Sequence, residues 1–255
     1  VLDVFVNRQD ILDDLEEYLT LHPGRFHRIC TGEFTDSLAL DPVIEVTTDL
    51  VKFFSSTKNA SLELKTKTDQ IEPLLRAHAN SRVIVSFSVN ADEIVRKEEL
   101  FSVSLRKRLS AAGKLEQRGY KVGFHFDPII PVPDWEQGYF RTVQAIAGNV
   151  RPENIAWISL GVLRFVPELK DIVLSRFGPL PYFHDAFVRG LDGKLRLYVE
   201  KRIKIYRILF EYIRSFLPNV RLYLCMESPY VWEHALGMLM QTSEALGEYL
   251  DDAVC

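Results

Sequence analysis

The sequence predicts an α/β fold built on a parallel sheet, and three observations carry the prediction. Short apolar stretches alternate with amphipathic helical segments along most of the 255 residues, the order that a parallel sheet with helical crossovers requires. Several of the stretches have period two, so that one face of each strand is apolar and the other polar. At 47% hydrophobic and 26% charged residues, one α/β barrel or doubly wound domain would use the whole chain.

Taken in order, Leu2 to Val6 is a short apolar stretch, and Asn7 with Asp10 caps a helix whose apolar face is Ile11, Leu15, Tyr18 and Leu19; His22-Pro23-Gly24 stops it. Phe26 to Ile29 reads as a strand, and Asp41-Pro42 opens a helix running to Ser56. Ser61 to Lys67 alternates Leu62 and Leu64 with Glu63, Lys65 and Lys67, and a helix follows from Asp69 to about Ala79. In Arg82 to Asn90 the apolar set Val83, Val85, Phe87 and Val89 alternates with Ser86, Ser88 and Asn90. Lys121 to Asp127 sets Phe124 and Phe126 against Gly123, His125 and Asp127, and Ala156 to Gly161 sets Ile158 and Leu160 against Trp157 and Ser159. If the apolar sets face the helices, the polar sets face inward near the carboxyl ends of the strands, where ligands bind in parallel α/β folds.

Helices separate these strands. One is capped by Ser104 and closed by Gly119, one starts at Asp134-Trp135, and one is opened by Pro167. Arg189 to Arg196 carries three basic residues around the turn signal Asp192-Gly193 and reads as a hairpin or a lid. A helix from Glu200 to Phe216, a last strand from Arg221 to Met226 and a final helix complete the chain.

The densest chemistry lies in Cys30 to Pro42, CTGEFTDSLALDP, where a strand should pass into its helix. Two readings stay open there: a ligand-binding loop, or a core thiol followed by a helix cap made of Thr35, Asp36 and Ser37. Cys30, Cys225 and Cys255 show neither disulfide-framework nor metal-knuckle spacing; Cys225 reads as a core residue and Cys255 as a chain end. The net charge of −4 argues against a non-specific nucleic-acid coat. No apolar run nears the ~20 residues of a membrane span and no signal peptide opens the chain, so the expected home is the cytoplasm. The start at Val1 reads as a natural amino end lying further upstream.

Six segments together carry a resemblance: CTGEFTDSLALDP, TKTDQIEPLL, SFSVN, GYKVGFHFDPI, AWISLG and CMESPYVW. In this order they resemble the spore photoproduct lyase family of radical S-adenosylmethionine enzymes. The resemblance implies a partial (β/α) barrel with parallel strands inside and helices outside, forming a single domain over residues 1–255 with 179–255 on the substrate side. It implies S-adenosylmethionine and a four-iron four-sulfur cluster as cofactors, the cluster held by a three-cysteine loop that would lie before Val1. It implies Cys30 as the hydrogen-atom donor to a product radical, and Thr31, Gly32, Glu33, Lys67, Ser88 and Asn90 at S-adenosylmethionine. His125, Asp127, Arg189, Lys194, Arg196 and Tyr198 are the implied substrate-side residues, although Asp127 and the Arg189 to Tyr198 segment depart from the family pattern. A DNA lesion or other small organic substrate, and an electron donor such as a flavodoxin or ferredoxin, are the implied partners. Repair of a thymine-dimer type lesion, a related radical reaction on another substrate, and a cluster-less nucleotide- or nucleic-acid-binding module are the three readings open at this point.

Overall fold

The computed structural model describes residues 7–32 and 35–254; the Leu2 to Val6 stretch, Glu33 and Cys255 lie outside them. Among the described residues, nine strands form two sheets. The main sheet holds β1 (His27–Thr31), β2 (Ala60–Thr66), β3 (Val83–Ser88), β4 (Lys121–Ile129), β5 (Ile155–Val162) and β9 (Leu222–Leu224), neighbours in that order and all parallel. It curls into a half-barrel with the helices around it. A small antiparallel sheet is made of β6 (Arg164–Phe165), β7 (Phe187–Arg189) and β8 (Leu195–Leu197).

The alternation in the sequence decides which face is which. Leu62, Leu64, Val83, Val85, Phe87, Val122, Phe124, Phe126, Ile158, Leu160, Leu222 and Leu224 are all buried in one continuous core, and burying such side chains is the main driving force for the fold. The opposite face runs in register from Cys30 to Glu63, from Lys65 through Ser86 to Gly123 and Trp157, and from Ser88 through His125 and Ser159 to Tyr223. Its lower part is apolar. Ile84, Trp157, Leu250 and Val254 form a second cluster, brought together by the last helix, Ser243–Asp251. Arg28 on β1 fastens that helix by donating to the Gly247 carbonyl at 2.7 Å and by pairing with Asp251. The interior is thus closed below and polar above.

Several helices differ from expectation. The segment opened by Asp41-Pro42 is two helices, Asp41–Ile44 and Val46–Ser56, because Glu45 adopts the left-handed conformation at φ 49°. The carboxylate of Asp41 is fully buried and accepts from the Thr47 backbone N–H at 3.0 Å, which holds the break. The expected helix from Asp69 spans only Glu72–Arg76, with Pro73 in its first turn. A helix at Asp92–Glu98 was not foreseen. In the first helix, Arg8–Leu21, only Leu19 is buried, whereas Ile11 and Tyr18 are exposed. Gly119 closes its helix in the left-handed region as expected, at φ 102°.

Candidate functional site

A cleft of about 510 Å³ opens over the carboxyl ends of the parallel strands. Gly32, Asp36, Lys65, Lys67, Ser88, His125, Asp127, Arg164, Tyr223, Cys225 and Met226 are among its lining residues. Strands that present polar side chains on one face and then end together produce such a cleft.

Its first wall is the loop after β1. Gly32 sits at φ 85°, and a Cβ there would lie 2.6 Å from Ser37 Oγ and 2.8 Å from the Lys65 carbonyl oxygen. Only glycine lets the loop lie this close to β2. One carboxylate fastens the rest: Asp36 accepts from the Leu38 and Ala39 backbone N–H groups at 2.9 and 3.0 Å, from Thr66 Oγ1 at 2.7 Å and from the Lys67 N–H at 2.6 Å. Thr31 faces Ser37, hydroxyl to hydroxyl, at 2.8 Å. Lys67 reaches over the cleft edge to Glu99 Oε1 at 3.4 Å, and Glu99 also pairs with the buried Arg108 at 2.6 Å. Arg108 donates to the Ser88 carbonyl at 2.8 Å, so the ends of β2 and β3 are joined through one charged chain.

Below the cleft lies a buried carboxylate. Oε1 of Glu63 accepts from Ser86 at 2.5 Å, His125 Nε2 at 2.8 Å and Trp157 Nε1 at 2.9 Å, which are contributed by three successive strands. Burial alone would raise its pKa; the charge and hydrogen bond of His125, the charge of Lys65 and the Ser86 hydroxyl outweigh it and hold the carboxyl at about 2. The other ring nitrogen of His125 lies 2.6 Å from Ser159 Oγ, so both nitrogens are engaged. Burial, and then the charges of Glu63 and Cys225, push the Tyr223 phenol well above its ordinary range.

The far wall is built by Asp127, Arg164 and Cys225. Arg164 donates to both Asp127 oxygens, at 3.1 and 2.9 Å, and to Cys225 Sγ at 3.2 Å. Burial and then Asp127 push the Cys225 thiol up to about 11. Next to it Met226 takes the left-handed conformation at φ 56°, which turns the chain so that Glu227 is directed to Arg202 and Tyr206, at 2.8 and 2.9 Å. Cys225 was expected in the core. It instead lines the cleft, because β9 places it on the same face as Tyr223.

Of the residues singled out in the sequence, Gly32, Lys67, Ser88, His125 and Asp127 line this cleft. Cys30 stands beside it on the open edge of β1, in register with Glu63. Crowding around its sulfur, and then the charge of Glu63, push the thiol up to about 11. Glu33 lies outside the described residues. Asn90 is not on the cleft. Its side chain is buried, donates to the Pro128 carbonyl at 2.9 Å and accepts from Tyr139 at 2.5 Å, so β3 has ended and turned away before reaching it. The Arg189 to Arg196 segment forms a β7–β8 hairpin, but its basic residues do not share one face: Arg189 pairs with Leu195, and Arg196 with Val188 and Arg164. Arg189 is therefore on the side of Leu195 and Phe165, opposite to Arg196 and Lys194. Tyr198 is exposed and stands at the N-cap position of the Val199–Phe216 helix.

Glu63, Lys65 and Arg164 were not foreseen as site residues, whereas Thr35 and Asp36, read in the sequence as part of a ligand-binding loop or a helix cap, line the cleft. The alternation in Ser61 to Lys67 held the signal for the first two, since they share the inward parity; Arg164 lies just past a strand and carries none. Among the described residues no three His, Cys, Asp or Glu side chains come together as a metal site, and no helix is long and apolar enough to cross a membrane.

The model of the family described as spore photoproduct lyase matches residues 1–180. The chain belongs to the spore photoproduct lyase family. It is 30% identical over 226 residues to the spore photoproduct lyase of Bacillus subtilis, covering 86% of this chain and 66% of that protein. To the spore photoproduct lyase of a Geobacillus species it is 28% identical over 179 residues, 68% of this chain and 52% of that one. The chain thus spans between half and two thirds of the length of these relatives. Among solved structures, a spore photoproduct lyase with a cysteine-to-alanine substitution matches at a TM-score of 0.80 and 24% identity, over 87% of this chain and 68% of that chain. A second, with bound AdoMet and dinucleoside spore photoproduct, matches at a TM-score of 0.78, the same identity and the same coverage. These two likenesses establish the half-barrel fold. The family match takes in the cleft residues up to Arg164, while the hairpin and Cys225 lie beyond it.

Proposed function

We propose that this chain is the AdoMet- and lesion-binding part of a spore photoproduct lyase-type radical enzyme, forming one domain over residues 1–255 with 179–255 on the substrate side. The observation that carries the reading is the cleft itself: Gly32, Lys67 and Ser88 on one wall and Asp127 and Arg164 on the other, over strands in which the family match is continuous. The first wall suits AdoMet. The glycine leaves backbone where a Cβ would intrude, Lys67 offers a cation to a carboxylate, and Ser88 offers a hydroxyl. Bound AdoMet supplies a 5′-deoxyadenosyl radical when it is reduced by an iron–sulfur cluster, for which the described residues offer no ligand set. An external electron donor, such as a flavodoxin or ferredoxin, belongs to the same proposal.

Cys30 is the residue proposed to end the reaction. With its pKa at about 11 the sulfur carries hydrogen at physiological pH, which is what hydrogen-atom donation needs and thiolate chemistry does not. The S–H bond breaks, a C–H bond forms on the product, and the unpaired electron rests on sulfur. His125 is fixed by Glu63 and Ser159 and shapes the floor beneath the substrate.

The test is turnover of spore photoproduct by cluster-containing protein with AdoMet and a reductant. Lesion reversal together with 5′-deoxyadenosine is expected, and its absence with clustered, AdoMet-binding protein would refute the reading. Cys30→Ala should leave AdoMet cleavage intact while clean product gives way to side products. Clean product at the parent rate would make Cys30 structural.

A further inference from the structure

We propose that Arg164 is a specificity-determining residue that donates a hydrogen bond to a neutral carbonyl acceptor on the substrate's pyrimidine-derived base. The proposal rests on the lesion-binding reading above and deepens it. Arg164 stands on the cleft wall just past β5, and three features hold it there. Both Asp127 oxygens accept from it, Cys225 Sγ accepts a third N–H, and Gly161 makes room for the pair. A Cβ at position 161 would come within 2.6 to 2.8 Å of the Asp127 carboxylate atoms, so glycine in β5 is what lets that carboxylate lie flat on the sheet beneath the guanidinium.

The chemistry of the ligand follows from what this arrangement leaves over. A guanidinium has five N–H donors. Three are engaged, one on Nη1 and both on Nη2, by Asp127 and Cys225, and two remain without a protein acceptor among the described residues, Nε–H and one Nη1–H on opposite edges of the group. Its charge is already compensated by a carboxylate at 2.9 Å. A phosphate bound at the remaining donors would bring a second anion close to Asp127 in a partly desolvated site, where like charges repel strongly. A carbonyl oxygen accepts from either of these donors with no such cost. Held between Asp127, Cys225 and the sheet, the guanidinium is rigid, and a donor fixed in place discriminates by position rather than by charge. Arg196, the neighbour across β6 and β8, is tied to Asp192 at 2.6 Å and to the Met226 carbonyl at 3.3 Å, so Arg164 is the guanidinium that lines the cleft.

Equilibrium binding of dinucleoside spore photoproduct, with and without the bridging phosphate, tests this in the parent, in Arg164→Lys and in the charge-neutral double variant Asp127→Asn/Arg164→Gln. Urea midpoints establish that each protein is folded, and the double variant avoids leaving Asp127 buried without a partner. Both variants should lose about tenfold or more in affinity, by the same factor for the two ligands. A loss confined to the phosphate-linked ligand would overturn the proposal in favour of an anion subsite. Parent affinity retained by Arg164→Lys would show that charge and not the fixed guanidinium donor matters, which overturns the proposal, and unchanged affinity in both variants would make the pair structural. If the parent itself binds neither ligand, the lesion reading fails and this proposal with it, an outcome distinct from a failure seen only in the variants.

Discussion

Replacing Glu63 by glutamine should destabilise the protein by about 3 kcal/mol at pH 7, and the size follows from the hydrogen bonds beneath the cleft. The carboxyl titrates at about 2 in the folded chain against an ordinary 4.5. By linkage, that difference corresponds to about 3 kcal/mol of stability carried by the ionised form. Glutamine has the shape of the protonated acid and forfeits this amount. Urea denaturation of parent and variant between pH 7 and pH 3 measures it. Because the folded value is depressed, the contribution is fully present above the unfolded value of 4.5 and is lost as pH falls through 2. The gap between the two proteins should therefore be constant down to about pH 5 and fall below half its value by about pH 3. In a thermal scan at pH 7 the same gap corresponds to about 6 to 12 °C for a chain of this size. A gap that does not change with pH, or one below about 1 kcal/mol at neutral pH, would refute the claim that His125, Lys65 and Ser86 jointly stabilise a buried charge.

Three further outcomes follow from the same geometry. With Cys225 in the cleft and Cys30 beside it both near 11, alkylation of the two by iodoacetamide should rise about tenfold per pH unit from pH 7 to 10; a plateau near pH 8.5, resolved by single Cys→Ala variants, would contradict the desolvation and the neighbouring carboxylates as the causes. Gly32→Ala should cost about 1 to 3 kcal/mol, from its left-handed backbone and the clash with Ser37 and the Lys65 carbonyl, and should weaken AdoMet binding; unchanged urea midpoint and affinity would show that the loop can yield. Asn90→Ala and Tyr139→Phe should each destabilise the chain and be non-additive, with a coupling of about 0.5 to 3 kcal/mol in a double-mutant cycle, since Tyr139 donates to Asn90 and accepts from the Ile130 N–H. Additive effects would remove the reason for assigning Asn90 to structure.

The sheet was legible in the sequence because period two is a local property. Val83, Val85 and Phe87 against Ser86 and Ser88 declare their faces without reference to any other strand, and the same parity orients Lys121 to Asp127 and Ala156 to Gly161. What parity cannot report is where a strand ends. Asn90 continues the alternation of Ser86 and Ser88 in the sequence, yet the hydrogen-bonded strand stops at Ser88 and the amide is taken up by Tyr139 and Pro128. Contacts that join distant segments were equally hidden: Glu63 meets Trp157 across 94 residues, and Arg164 meets Cys225 across 61. Arg189 shows the reverse case. Three basic residues surround one turn in the sequence, but nothing there says which face each takes, and the hairpin register puts an odd number of steps between Arg189's partner and Arg196.

Asp36 has a bearing on how the cleft meets a ligand. By holding Leu38, Ala39, Thr66 and Lys67 with one side chain, it joins the described part of the loop after β1 to the end of β2 before anything binds. The entropy of ordering those backbone groups is spent during folding, and association does not have to supply it again. A ligand arriving at Lys67 meets a rim already set, since the Lys67 N–H is held by Asp36. The loop from Thr35 onward and the end of β2 are thus joined through a single carboxylate.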